Sequence, residues 1–154
     1  MVAFSASAFG QASATASAAA RIIAPITIVN TTGLHFGSII RAAGTVTVSP
    51  AGVRSTTGPV LSALAPAHTA ASFTVSGEPA LTYSITLPAA VTITSGANTM
   101  SVGTFLSTPA ATGTLDGTGN QTLTVGATLT VGAAQASGTY NTGATPFTVT
   151  VNYN

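Results

Sequence analysis

Glu78 and Asp116 are the only carboxylate side chains of the sequence, and His35 and His68 its only imidazoles. With Arg21, Arg41 and Arg54 they are the groups that acid–base, metal or anion chemistry would have to use. A hydrolytic pair needs two carboxylates facing one bond. Glu78 lies in Ser76-Gly-Glu-Pro-Ala80 and Asp116 in Leu115-Asp-Gly-Thr-Gly-Asn-Gln121, separate segments rich in turn formers, so each is expected to be a solvated turn residue. A zinc site wants three or four ligands. Neither histidine has a cysteine or carboxylate close in sequence, and both are expected at a surface or sheet edge. No Gly-x-Ser-x-Gly elbow supports a Ser-His-Asp arrangement. Residues 115–121 hold one acid where calcium loops place several oxygen ligands, and they read better as a hairpin turn. The expectation is therefore no catalytic residue, no cofactor, no metal, and a protein that is not an enzyme. Exposed charges contribute about 0 to 1 kcal/mol per pair, so all five charged side chains are expected to be individually dispensable.

What remains is a chain built for structure. Charged residues make up 3% of its 154 residues, against roughly 25% in ordinary soluble domains. Polar surface must then come from Ser, Thr, Asn and Gln. A net charge of +1 makes no phosphate-binding stripe, which excludes nucleic acid as a main partner. Cysteine is absent, so no disulfide or thiolate metal site is available. No run reaches the roughly 18 apolar residues of a spanning helix, and six Phe and three Tyr do not furnish the aromatic girdles of a membrane barrel. Membrane insertion is not expected. The length suits one domain with a real core.

The element that orders the rest is an N-terminal arm, residues 1–24, ahead of a body from 25 to 154. From Ala12 to Ala20 every even position is alanine, and Ile22 continues the phase, while Ser13, Thr15 and Ser17 occupy odd positions. A period of two describes a strand with one small apolar face and one hydroxyl face. Alanine favours helix, but alternating hydroxyls would wind round a helix and leave no apolar stripe. The arm is thus expected to be a strand for a sheet that lacks one, in a neighbouring copy, with Ala12, Ala14, Ala16, Ala18, Ala20 and Ile22 as its donor face. Alanine methyls fill little space, so the groove that receives them is expected to be shallow and filled by its own Phe, Leu and Val. The alternation extends back through Ala8, Ala6, Phe4 and Val2, yet A-x-A spacing around Ala12-Ser13-Ala14 also fits a signal-peptide remnant over 1–14, and both readings stand.

After Pro25 the chain reads as short strands punctuated by Gly, Pro and Asn, an all-β sandwich pattern. Residues 26–30 and 34–39 flank a Thr31-Thr32-Gly33 turn. Residues 71–75 and 81–87 form the clearest hairpin, with Phe73, Val75, Tyr83, Ile85 and Leu87 facing the core. Residues 91–93 and 100–102 flank a turn at 95–98, and the alternation slips near Gly103, as at a bulge. Thr122-Leu-Thr-Val-Gly-Ala127 recurs letter for letter as residues 128–133. Six is even, so both copies face the same way and extend one long strand. Pro146 to Asn154 is a final strand with Phe147, Val149, Val151 and Tyr153 inward. A last strand with an open edge is an aggregation hazard, and pairing it with the donated arm resolves both problems.

The order of these motifs, from the Ala/Ser/Thr arm through Ile26-Thr-Ile-Val-Asn-Thr-Thr-Gly-Leu-His-Phe-Gly37 and Thr45-Val-Thr-Val-Ser-Pro50 to Phe147-Thr-Val-Thr-Val-Asn-Tyr-Asn154, resembles a family of secreted, cysteine-free bacterial proteins of unassigned function. That family is similar to spore coat protein U-type and other chaperone-usher pilus subunits. The resemblance implies an incomplete immunoglobulin-like Greek-key sandwich, completed by the N-terminal strand of the next subunit. It implies an extracellular or cell-surface filament of identical copies, with a periplasmic chaperone and outer-membrane usher as assembly partners. By position, Phe147, Val149, Val151 and Tyr153 become the strand walling the acceptor groove. Many pilins have a disulfide and bulkier donor side chains, and this chain has neither. The alternative is a self-complemented adhesin or binding module with its arm folded into its own groove. The stiff, glycine-free Ile22-Ile-Ala-Pro25 favours projection outward instead.

Overall fold

A computed structural model of the chain describes Met1 and residues 10–154. The far end of the proposed alternation, at Val2, Phe4, Ala6 and Ala8, and most of the 1–14 segment's alternative reading fall outside the described residues. Among those described there is no helix. The strands are β1 (Thr27–Thr32), β2 (His35–Phe36), β3 (Ile39–Ile40), β4 (Gly44–Val48), β5 (Arg54–Thr57), β6 (Val60–Leu61), β7 (His68–Thr69), β8 (Ala71–Ser76), β9 (Thr82–Thr86), β10 (Ala90–Ser95), β11 (Asn98–Thr108), β12 (Thr112–Thr114), β13 (Asn120–Val131) and β14 (Thr150–Tyr153).

The protein is an all-β sandwich of antiparallel sheets. A 7-stranded sheet runs β1-β8-β13-β11-β10, with β4 on β13 and β5 on β4. Across the core lies a 3-stranded sheet, β12-β9-β14, and two short ladders, β2-β7 and β3-β6, close the side. Tyr83 and Val151 from the smaller sheet pack with Phe73, Leu123, Val125 and Val46 from the larger one. Alternation explains why: in β8, Ala71, Phe73 and Val75 are buried while Ser72, Thr74 and Ser76 are not.

The six-residue repeat does form one strand. Leu123, Val125, Ala127, Leu129 and Val131 are all buried on one face of β13. This strand changes partner halfway: Asn120 to Val125 pair with β8, and Ala127 to Val131 pair with β4. Gly126 stands at the handover, where a Cβ would overlap the Val48 carbonyl and the Ser49–Pro50 backbone. Glycine is required there by close approach of another backbone. Gly126→Ala is expected to lower unfolding stability by about 2 to 3 kcal/mol, read by denaturant titration, because the clashing atoms are main chain and cannot rotate away.

Three local expectations are corrected. Residues 71–75 and 81–87 are not a hairpin: β8 and β9 belong to opposite sheets, so the Ser76-to-Ala80 turn crosses the core instead of folding back. The same holds for the Asp116 turn, which links β12 in the small sheet to β13 in the large one. The turn expected at Thr31-Thr32-Gly33 is displaced, since β1 runs on through Thr31 and Thr32, and the strands on either side take different partners, β1 with β8 and β2 with β7. In each case a turn signal marks a reversal of the chain but not which sheet the next strand joins. The hairpin of β10 and β11 is as expected, with Ser95 opposite Asn98, and the register shift after Gly103 is present.

Candidate functional site

The two sheets differ in length. β11 spans 11 residues and β13 spans 12, whereas the strands of the smaller sheet span three to five. The smaller sheet therefore covers only part of the larger one. Beyond it, the inner face of the large sheet becomes the floor of a groove of about 1250 Å³. Val91, Ile93, Met100, Val102, Leu129 and Val131 lie along this floor. One wall is the segment 33–41, and the other is formed by residues 135–142 with Pro146 and Phe147. The second wall is braced by Gln135, whose Nε2 donates to the Tyr140 hydroxyl at 2.8 Å and the Thr99 carbonyl at 3.2 Å. Tyr140 in turn donates to the Ala136 carbonyl at 2.8 Å.

The first wall is held by Arg54. Its guanidinium donates to the carbonyls of Phe36 at 3.0 Å, Ser38 at 3.4 Å and Ser62 at 2.9 Å. Arg54 is thus a brace rather than the solvated charge expected from sequence, and Gly37 lacks a side chain where that guanidinium passes. A groove this large also corrects the expectation of a shallow, prefilled cleft. The floor residues Val91, Ile93 and Met100 are only partly buried, because the layer that would cover them is short.

The predicted acceptor residues divide between two ends of the body. Phe147 lines the groove and packs against Phe105 with ring centres 5.1 Å apart and planes tilted by 42°. Val149 and Val151, each 8% exposed, face the core. Tyr153 lies at the opposite pole. The strand expected over 146–154 is laddered to β9 only from Thr150 to Tyr153, and residues 146–149 carry no strand pairing. Alternation predicts which side chains turn inward, but a ladder also needs a neighbouring backbone, and the small sheet supplies one only along β9.

The predicted donor residues Ala12, Ala14, Ala16, Ala18, Ala20 and Ile22 are all exposed, and residues 10–26 pair with no strand among the described residues. Ile22 is 96% exposed. The arm is anchored at its root. The Ala24 amide donates to Glu78 Oε2 at 3.2 Å, and Arg21 forms an ion pair with the same carboxylate. The Tyr153 hydroxyl donates to the Ala24 carbonyl at 3.0 Å and accepts from the Glu78 amide at 2.6 Å. A Cβ on Gly77 would overlap that hydroxyl, so the glycine admits the clamp. Sequence reading missed this clamp. Its one signal was Arg21 as the only charged side chain of the arm, and a spacing of 57 residues hides its pairing with Glu78.

The two carboxylates come to the same pole, since the Gly77 amide bonds the Gly119 carbonyl and the Ala80 amide bonds the Asp116 carbonyl. They do not form an acid–base pair poised near neutrality. The Ala24 amide, aided by Arg21, holds the Glu78 carboxyl below the usual carboxylate range. The Asn120 amide, then the Thr118 hydroxyl and amide, do the same for Asp116, which caps its own turn. Both are therefore anions at neutral pH. His35 and His68 lie on the two strands of the β2-β7 ladder, and no group of three potential metal ligands occurs among the described residues.

The chain thus offers an apolar groove at one pole and an unpaired alternating arm rooted at the other. β1 begins, β8 ends, β13 begins and β14 ends at the root pole, as their registers require. Residues 26–153 match the family model described as Domain of unknown function (DUF4402). No curated protein and no solved structure matches the chain.

Proposed function

The chain belongs to the DUF4402 family, whose match spans the body but leaves out the arm, and we propose that it is a structural subunit of an extracellular bacterial filament. Each copy donates its N-terminal arm as a strand to the groove of the next. The body is then an immunoglobulin-like Greek-key sandwich lacking one strand, and the donated strand pairs along the free edge of β14. The observation that carries this reading is the pairing of an exposed arm with a long apolar groove whose mouth lies at the pole away from the arm's root. Nine residues, Ala12 to Ala20, span about 30 Å as a strand, enough to run the length of such a groove.

The root clamp also favours donation over a self-complemented adhesin, because Tyr153 and Glu78 hold residues 21–24 at the far pole. The reading assigns no catalysis and no cofactor to the chain. Secretion, and assembly with a periplasmic chaperone and an outer-membrane usher, belong to it as well. Removing residues 1–20 is expected to eliminate filaments seen by negative-stain microscopy while leaving a folded body, since the arm residues described bury nothing against it. Filaments of unchanged yield from the truncated chain would exclude the arm as the polymerising element.

A further inference from the structure

Of the five charged side chains, the fold engages three across the chain, Arg21 with Glu78 and Arg54 on three carbonyls, while Asp116 accepts through Oδ1 only within its own turn, from Thr118 and Asn120. The other two have opposite signs, are exposed, and lie at opposite poles. Asp116 occupies the turn ahead of β13, bonded through its carbonyl to the Ala80 amide, beside the arm's root. Arg41 follows β3 on the rim of the groove, reaching the Gln135 carbonyl at 3.4 Å. No ion pair engages either one among the described residues.

We propose that, in the assembled form, the root pole of one copy seats on the groove mouth of the next, and that Asp116 of the first faces Arg41 of the second. This rests on the strand-donation reading above. The C-terminal segment runs from the groove pole, at Phe147, to the root pole, where β14 ends at Tyr153. Antiparallel pairing is the more stable per residue, and an arm antiparallel to β14 leaves the groove at its mouth. Its own body then begins there. A parallel arm would bring two root poles together and set Asp116 near Asp116, which like-charge repulsion disfavours. The antiparallel arrangement also brings exposed Ile22 of the donor towards exposed Ile40 on the acceptor's rim. In a chain with so few charges, one complementary pair acts almost unopposed in steering the encounter.

The test is filament elongation by the full chain, followed by light scattering at low ionic strength, in a four-member cycle. Asp116→Asn keeps an oxygen to cap the turn, so the fold is retained. Arg41→Asp is expected to slow elongation about tenfold and Asp116→Asn about threefold, both effects fading with salt. In the Arg41→Asp background, Asp116→Asn should instead speed elongation, because it removes a repulsion. If Asp116→Asn has the same effect in both backgrounds, the two residues do not meet and this docking is wrong, though strand donation would stand. If the wild-type chain forms no filaments, strand donation fails and this docking with it.

Discussion

Ala16→Arg is expected to abolish filament formation, while Thr15→Arg leaves most of it, and filament yield by electron microscopy separates the two. Under strand donation, the even face of the arm would meet a floor made of Val, Ile, Met and Leu side chains. Burying a guanidinium there without a partner costs several kcal/mol. The odd face carries hydroxyls and points away from that floor, where a long cation reaches water at little cost. The depth of the groove adds a third member to the comparison. Ala16→Leu adds three carbons, each contributing about 0.8 kcal/mol when buried, so it should strengthen the joint by about 2 kcal/mol and slow subunit exchange on the order of thirtyfold. Equal yields from Ala16→Arg and Thr15→Arg would show that the arm does not present one face to a groove.

The second large effect is stabilisation in trans. A peptide of residues 10–22, added to the body alone, is expected to raise its Tm by on the order of 10 °C at a hundredfold excess over Kd, from about 2.7 kcal/mol of linkage. The source of that energy is on the acceptor. A nine-residue strand gains about 1 kcal/mol per backbone hydrogen bond and loses about 1 to 2 kcal/mol per residue in ordering, so pairing alone does not drive insertion. Alanine methyls add little. The partly exposed Val91, Ile93 and Met100 add more, because covering them removes existing apolar surface from water. A peptide of the same composition with its alternation scrambled should give no shift, since pairing either face would then bring hydroxyls onto the floor. An identical shift from both peptides, or from neither, would contradict a strand-shaped site.

These expectations depend on features of unequal visibility in the sequence. Alternation alone determined the all-β class, the inward faces of β8, β13 and β14, and the union of the two six-residue repeats into one strand. Such signals are local: a side chain's face follows from the parity of its position, and parity can be read without knowing the neighbour. Composition likewise limited the chain to five charged side chains. Which sheet each strand joins was decided only in three dimensions. The turns at Glu78 and Asp116 look like hairpins but cross between layers, because the core gains more from opposing sheets than from one flat one. The groove was invisible for the same reason. It arises from a mismatch in length between two layers, 12 residues in β13 against four in β14, and from an Arg54 brace that pins a wall through carbonyls of residues 36, 38 and 62. The clamp of Arg21, Glu78 and Tyr153 joins residues far apart in sequence, and only the folded chain sets those atoms within hydrogen-bonding reach.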